Sequence, residues 1–344
     1  MSLRRGGLGL RSLVDHSSAA YIASFSTSGS VQTTPHLDKA ISHYNSCVAD
    51  CDTLSITSLK DNSPNQKKLS DSIEALQFNS LISTSSTADR ARLLSISSPH
   101  ASAWISVVPS ISLGLHLEPQ EFKTAIKWWL GINPSMGLDG DLMACPLCPG
   151  NSLDPLGYHC VTCKRGGDVT LRHNLLRNVL FNTFRRAGMS SNLEVGSGWG
   201  HESSRTRPAD ILVTNWDNGI SATFDVTVAS PLNSSTITEA GMYSGAAARA
   251  AELRKHTQND PKCAELGWKC IPLAVECYGA WGPEALKAFS QVATRLAIRG
   301  NTSKSMALTD LFGRLSHSLI RANARAILSR SYSHLVQQVD ELCV

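Results

Sequence analysis

The stretch at 207–228, RPADILVTNWDNGISATFDVTV, constrains the fold of this chain more than any other. Its second half alternates, with Ile220, Ala222, Phe224, Val226 and Val228 on one side and Ser221, Thr223, Asp225 and Thr227 on the other. That is the period of a half-buried strand. Asn218-Gly219 just before it is a strong two-residue hairpin signal, because both central positions of such a turn take positive φ. With that turn, Asp210 lies opposite Thr227 and diagonal to Asp225. A turn one residue earlier, at Asp217-Asn218, puts Asp210 directly opposite Asp225 and keeps the same faces. Either register leaves the two Cβ atoms about 4.5–8 Å apart, within reach of one divalent ion. An edge hairpin with two solvated aspartates is the plainer alternative.

A second constraint lies upstream. Cys145 and Cys148 are followed by His159, Cys160 and Cys163 among Pro and Gly residues. Cys-x2-Cys, ten residues, then His-x3-Cys suits a closed tetrahedral zinc site of Cys145, Cys148, His159 and Cys163. Cys160 is the rival fourth ligand, but neighbouring residues rarely turn both side chains to one ion. A complete quartet is structural, with no open position for chemistry. Ten cysteines, of which Cys47, Cys51, Cys263, Cys270, Cys277 and Cys343 read as simple core or surface thiols, point to reduced thiols and metal ligation and so to a nuclear or cytoplasmic chain that is not secreted.

The 344 residues carry a net charge of only +4, which says little about partners. The distribution says more. Residues 164–210 hold Lys164, Arg165, Arg172, Arg177, Arg185, Arg186, Arg205 and Arg207 against Asp168, Glu194, Glu202 and Asp210. This basic excess around the hairpin suits a phosphate-binding surface. No apolar run is long enough to span a bilayer. The Arg- and Ser-rich first thirty residues resemble a mitochondrial transit peptide, but without a clean amphipathic helix.

Periodicity predicts helices near 66–82, over 119–131 (apolar stripe Phe122, Ile126, Trp129, Leu130), over 168–187 (stripe Leu171, Leu175, Val179, Leu180, Phe184, with Arg172 and Arg186 off it), 237–256, 283–299 and 305–331. Short strands are expected at 193–195 and 269–277. The resulting organisation is α/β (α+β). A mostly helical, partly disordered region spans 1–135, a zinc knuckle spans 140–167, and a mixed sheet flanked by helices spans 168–335.

Cys-x2-Cys…His-x3-Cys, then Arg172-His173-Asn174, Arg207-Pro208-Ala209-Asp210 and Phe224-Asp225-Val226-Thr227 together resemble the C-terminal region of non-LTR retrotransposon polyproteins. There a zinc knuckle precedes a restriction-like endonuclease of PD-(D/E)xK type. The resemblance covers about 140–330. Residues 5–25 and 91–131 resemble the segment between the reverse transcriptase thumb and the knuckle. No Tyr/Phe-x-Asp-Asp occurs, so the chain resembles a truncated element without the polymerase core.

The resemblance implies a strand-nicking endonuclease. Asp210 and Asp225 would be its catalytic acids, binding Mg²⁺ or Mn²⁺. The lysine position of (D/E)xK is Thr227 here, and Lys255 on the following helix is the best match for the missing lysine. A helix starting at 237 would carry Lys255 about 27 Å from its start, which leaves that placement open. Glu194 and Glu276 are outside candidates for a third acid. Arg172, His173, Arg177, Arg185, Arg186 and Arg207 would contact nucleic acid. The implied partners are DNA or RNA, with no membrane and no small-molecule cofactor, and oligomeric state is not legible. The alternative is an inactive nucleic-acid-binding remnant of the same origin.

Overall fold

The computed structural model describes residues 1–27, 33–61, 63–134, 144–193 and 209–330. Two compact units divide at Ser86 and Thr87. The first is helical: α1 (Leu13–Thr27), α2 (Pro35–Ser46), α3 (Ile56–Asp61) and α4 (Gln66–Thr84). Thr34 caps α2 by accepting the Leu37 N–H, and Asn65 caps α4 through the Lys68 N–H. Ile22, Leu37, Ile41, Tyr44, Leu59, Leu69 and Ile73 fill the space between these helices. The buried carboxylate of Glu74 is met by Arg11 Nε at 2.9 Å.

The second unit is mixed α/β. It begins with α5 (Thr87–Ile96) and α6 (Pro119–Leu130), and continues with α7 (Tyr158–Thr162) and α8 (Asp168–Arg186). The strands are β1 (Ser191–Leu193), β2 (Ile211–Asp217), β3 (Ile220–Ala229) and β4 (Lys269–Glu276), side by side in that order. The first three are antiparallel, and β3 and β4 are parallel. The crossover between them contains α9 (Ile237–Ala240) and α10 (Ala246–Glu265). α11 (Pro283–Gly300) and α12 (Lys304–Leu328) complete it. Pro272 is tolerated within β4 because that strand is a sheet edge. No helix among the described residues is long and apolar enough to cross a membrane.

The expected boundary near 135–140 is not where the chain divides. α6 belongs to the second unit, because Glu121 on it is buried against Arg321 and Arg325 of α12. Its buried face is Glu121, Thr124, Ala125, Trp128 and Trp129, while Phe122, expected inside, is half exposed. The inward stripe of α8 is likewise rotated from the expected one. Arg172, Leu176, Leu180, Thr183 and Phe184 are buried and Leu171 is exposed. In both helices a polar residue with a partner on α12 occupies a position that hydrophobicity alone assigns to solvent.

The hairpin realises both registers in turn. Asp217 faces Ile220 across an Asn218-Gly219 turn, yet Val213 faces Ala222 and Ile211 faces Phe224. A bulge between Val213 and Asp217 absorbs the difference, with Asn215 at φ 53°. It turns Trp216 onto the core face, where its ring meets Phe224 edge-on at 4.9 Å and Phe184 at 6.3 Å. That face, with Ile211, Val213, Ala222, Val226, Leu273 and Val275, packs on α8, α11 and α12. Burying one such Phe or Leu is worth about 1.5–3 kcal/mol. The opposite face carries Asp225, Thr223 and Thr227 and is covered by α10. Ala248 and Ala251 of α10 contact Ala274 and Ala229, so the alanine-rich helix comes close to the strands.

Candidate functional site

β3 runs past the start of β2, and Asp210 sits where the ladder ends. Its backbone N–H donates to Phe224 O at 3.1 Å, and its Oδ2 accepts the next β3 donor, Val226 N–H, at 2.7 Å. The carboxylate therefore ends the ladder and is fixed by it. The upper register extends through Ile211 and Phe224, which places Asp210 opposite Asp225. Oδ1 of Asp210 lies 3.0 Å from His173 Nε2 on α8. His173 is one residue past the buried Arg172, so the helical turn of about 100° aims it at the sheet end instead of the core.

The 237–256 helix of the sequence reading is broken. α9 ends at Ala240, and α10 restarts at Ala246 behind Gly245, whose φ is 74°. Lys255 is then nine residues into α10, about 14 Å from its start. Its Nζ lies 2.8 Å from Asp225 Oδ2. Asn259, one turn further along α10, donates to the same oxygen at 2.9 Å. Lys255 and Asn259 are thus both anchored on a side chain from the middle of β3. Asp210, Asp225, Thr227, Lys255, His173, Asn174 and Arg177 line one open cavity of about 680 Å³.

Electrostatics in this cavity are opposed. Burial raises the Asp225 carboxyl above the usual range, and Asp210 adds to that, while Lys255 and Asn259 act against it. The hydrogen bond to Asp210 raises His173, against the effect of its burial. Two carboxyl groups are held close together here, one bonded to Lys255 and Asn259 and the other to His173.

The other expected residues separate. Arg172 is buried and donates from Nη1 to Asn323 Oδ1 at 2.6 Å, so it presents no charge to a nucleic acid. Asn323 in turn donates to Cys277 O at 2.8 Å, which makes this a tie between α8, α12 and the end of β4. Arg186 is exposed but paired with Asp310 at 3.2 Å. Arg185 is exposed, with its guanidinium over the Phe181 ring. Arg177 lines the cavity and hydrogen-bonds Asn178 Oδ1. Glu276 is no third acid at this site. It is buried and accepts the Ala247 N–H at 2.9 Å, at the start of α10. Arg207 and Glu194 lie outside the described residues.

The four expected zinc ligands do converge. One ligand atom from each of Cys145, Cys148, His159 and Cys163 lies within 4.8 Å of the others, with Cys148 Sγ 3.0 Å from His159 Nε2 and 3.5 Å from Cys163 Sγ. Tetrahedral zinc with bonds of about 2.3 Å to sulfur separates its ligand atoms by roughly 3.8 Å, so the cluster can hold zinc. The first pair sits on a turn closed by the Ala144–Ser152 bridge and the Cys145 N–H bond to Asn151 O. Of the second pair, His159 lies on α7 and Cys163 directly follows it, and the N–H groups of Tyr158 and His159 are taken by Asp154. Cys160 is buried but is not one of the four converging ligands.

Arg330, wholly buried after α12, ties the knuckle down. It donates to Arg165 O at 2.8 Å and to Asp168 Oδ2 at 2.7 Å. Burial opposes the Cys163 thiolate, but the Arg165 N–H, Cys148 and Arg330 together hold its pKa below the usual thiol value. Sequence reasoning missed Arg330 because nothing local marks it. Asn259 had a usable signal, since it lies one helical turn from Lys255 and so on the same face. A search of protein-family models finds no match to this chain, and neither does a search of curated proteins.

Proposed function

We propose that this chain is a divalent-metal-dependent DNA endonuclease of restriction-like type, a strand-nicking domain of retrotransposon origin that binds DNA through its zinc knuckle and neighbouring basic residues. The observation that carries the reading is Lys255 Nζ, 2.8 Å from Asp225 in the cavity that Asp210 also lines. The lysine missing at Thr227 is supplied from a helix that lies across the same sheet face. The order helix, antiparallel strands, crossover helix, parallel strand also supports a restriction-like core.

Asp210 and Asp225 offer hard oxygen donors of the kind Mg²⁺ or Mn²⁺ takes, and their mutual repulsion is what a cation would relieve. Such an ion supplies Lewis acidity at a phosphate oxygen and a more acidic bound water. The protein's part is positional. Val226 N–H and His173 fix Asp210, and Asn259 holds Asp225. Lys255 places a positive charge where the phosphate gains negative charge in the transition state. Exposed Lys164, Arg165 and Arg185, with Arg177 in the cavity wall, would hold the duplex through its backbone.

One observation favours an inactive, DNA-binding remnant instead. Both Asp210 oxygens already accept hydrogen bonds, and Lys255 already neutralises Asp225. A plasmid-nicking assay in Mg²⁺ or Mn²⁺ separates the two readings. Wild type should nick and Asp225→Ala should not. Duplex binding with no nicking in either protein selects the remnant, and equal nicking in both excludes this site.

A further inference from the structure

We propose that His256, Asp260 and Cys270 form a second metal site, of the zinc class, that clips α10 to the edge strand β4. One ligand atom from each lies within 4.8 Å of the other two. His256 and Asp260 are four residues apart on α10 and so share a face, with His256 Nδ1 2.9 Å from an Asp260 oxygen. Cys270 reaches the same point from the second residue of β4, after the chain reverses at Gly267, whose φ is 66°. The turn between α10 and β4 is short, which fixes the spacing of the three donors.

The donor set decides the class of ion. Imidazole nitrogen, carboxylate oxygen and thiolate sulfur together suit zinc or a similar borderline ion, and the sulfur disfavours Mg²⁺ and Ca²⁺. Three protein ligands leave a fourth position open, unlike the closed quartet of the knuckle. These ligands border a cavity of about 520 Å³ that is also lined by Lys269, Glu284 and Lys287. The cavity gives a water molecule access to that fourth position.

The site does not depend on the nuclease reading, but it bears on the geometry of that region. Lys255 and Asn259, the two anchors of Asp225, directly precede His256 and Asp260 on α10. An ion joining His256 and Asp260 to Cys270 sets the position of α10 along the sheet, and with it the approach of Lys255 to Asp225.

The test uses the full chain, kept reduced, stripped of metal and titrated with Co²⁺. Wild type should bind two equivalents that show sulfur-to-cobalt charge-transfer absorption, any ion on Asp210 and Asp225 being silent in that band. His256→Ala, at a partly exposed helix position, should bind one equivalent, with affinity for the second at least tenfold weaker, while its far-ultraviolet circular dichroism is unchanged. Cys270→Ser should do the same. Should Cys270→Ser fail to fold, the His256→Ala count decides alone. A single such equivalent in wild type, or two such equivalents in His256→Ala, overturns the proposal and leaves His256 and Asp260 as a hydrogen-bonded pair on one helix.

Discussion

Lys255 Nζ rests 2.8 Å from Asp225 Oδ2, although the two residues are separated by the whole connection from β3 through α9 to α10. Lys255→Met keeps the stem and removes the charge. Nicking should fall about 10²–10³-fold, the usual effect of losing one group that stabilises transition-state charge. A single-turnover time course on supercoiled plasmid measures it. A change of less than twofold would remove Lys255 from the chemistry.

His173 meets Asp210 at 3.0 Å and, on the proposed function, would act through it. Positioning partners of this kind are typically worth 10–100-fold in metal affinity or activity. His173→Ala should therefore raise the Mg²⁺ concentration needed for half-maximal nicking by about that factor. Glutamine at this position, which can still donate a hydrogen bond, should restore part of the loss. An unchanged Mg²⁺ dependence in His173→Ala would make the contact merely structural.

Cys148→Ser removes a sulfur that lies close to both His159 and Cys163. Metal analysis should show one equivalent of zinc lost, and thermal unfolding should shift to lower temperature, because binding to a structural site contributes directly to folding. Full zinc retention would move the site elsewhere.

Two buried carboxyls cap helices, and burial is the main reason both are pushed up to about 7. Glu252 accepts the N–H groups of Glu284 and Ala285 at the start of α11, and Glu276 that of Ala247 at the start of α10. With folded pKa values above the ordinary 4.5, the native state binds more protons than the unfolded one between those limits. Stability should then fall as pH rises from about 4.5 to 7, by at most about 1.4 kcal/mol per pH unit for each group, and level off above. Glu252→Gln should flatten its share of that slope in urea unfolding at pH 5, 6, 7 and 8. A slope identical to wild type would exclude Glu252 as a source.

Asn215 stands at φ 53° and accepts the Gly219 N–H on its own Oδ1 at 3.0 Å. Asn215→Val places a β-branched residue in the left-handed region and deletes that acceptor. A loss of about 1–3 kcal/mol in chemical denaturation is expected, with Asn215→Gly milder. Equal losses for the two would mean that the bulge relaxes.

Local signals account for the parts of the molecule that could be read in advance. The alternation of 220–228 and the Asn218-Gly219 turn locate β3 and its hairpin, and the ligand spacing picks out the quartet that converges. The two register options for Asp210 turned on how many residues loop out of β2, and only the packing of Trp216 against Phe224 decides that. Arg172 looked like a surface cation because its partner, Asn323, is 151 residues away. The break before Ala246 went unread because Gly241 and Gly245 sit inside an otherwise helical pattern.

Arg330 gives the molecule an order in time. It follows α12 and is made 165 residues after Arg165, yet its guanidinium holds Arg165 O and Asp168 where the knuckle joins α8. Cys145 to Cys163 emerge much earlier and can gather an ion while the rest is still being made. The tie to Arg165 and Asp168 comes only with Arg330, so a nascent chain stalled before 330 would carry the four ligands without that fastening.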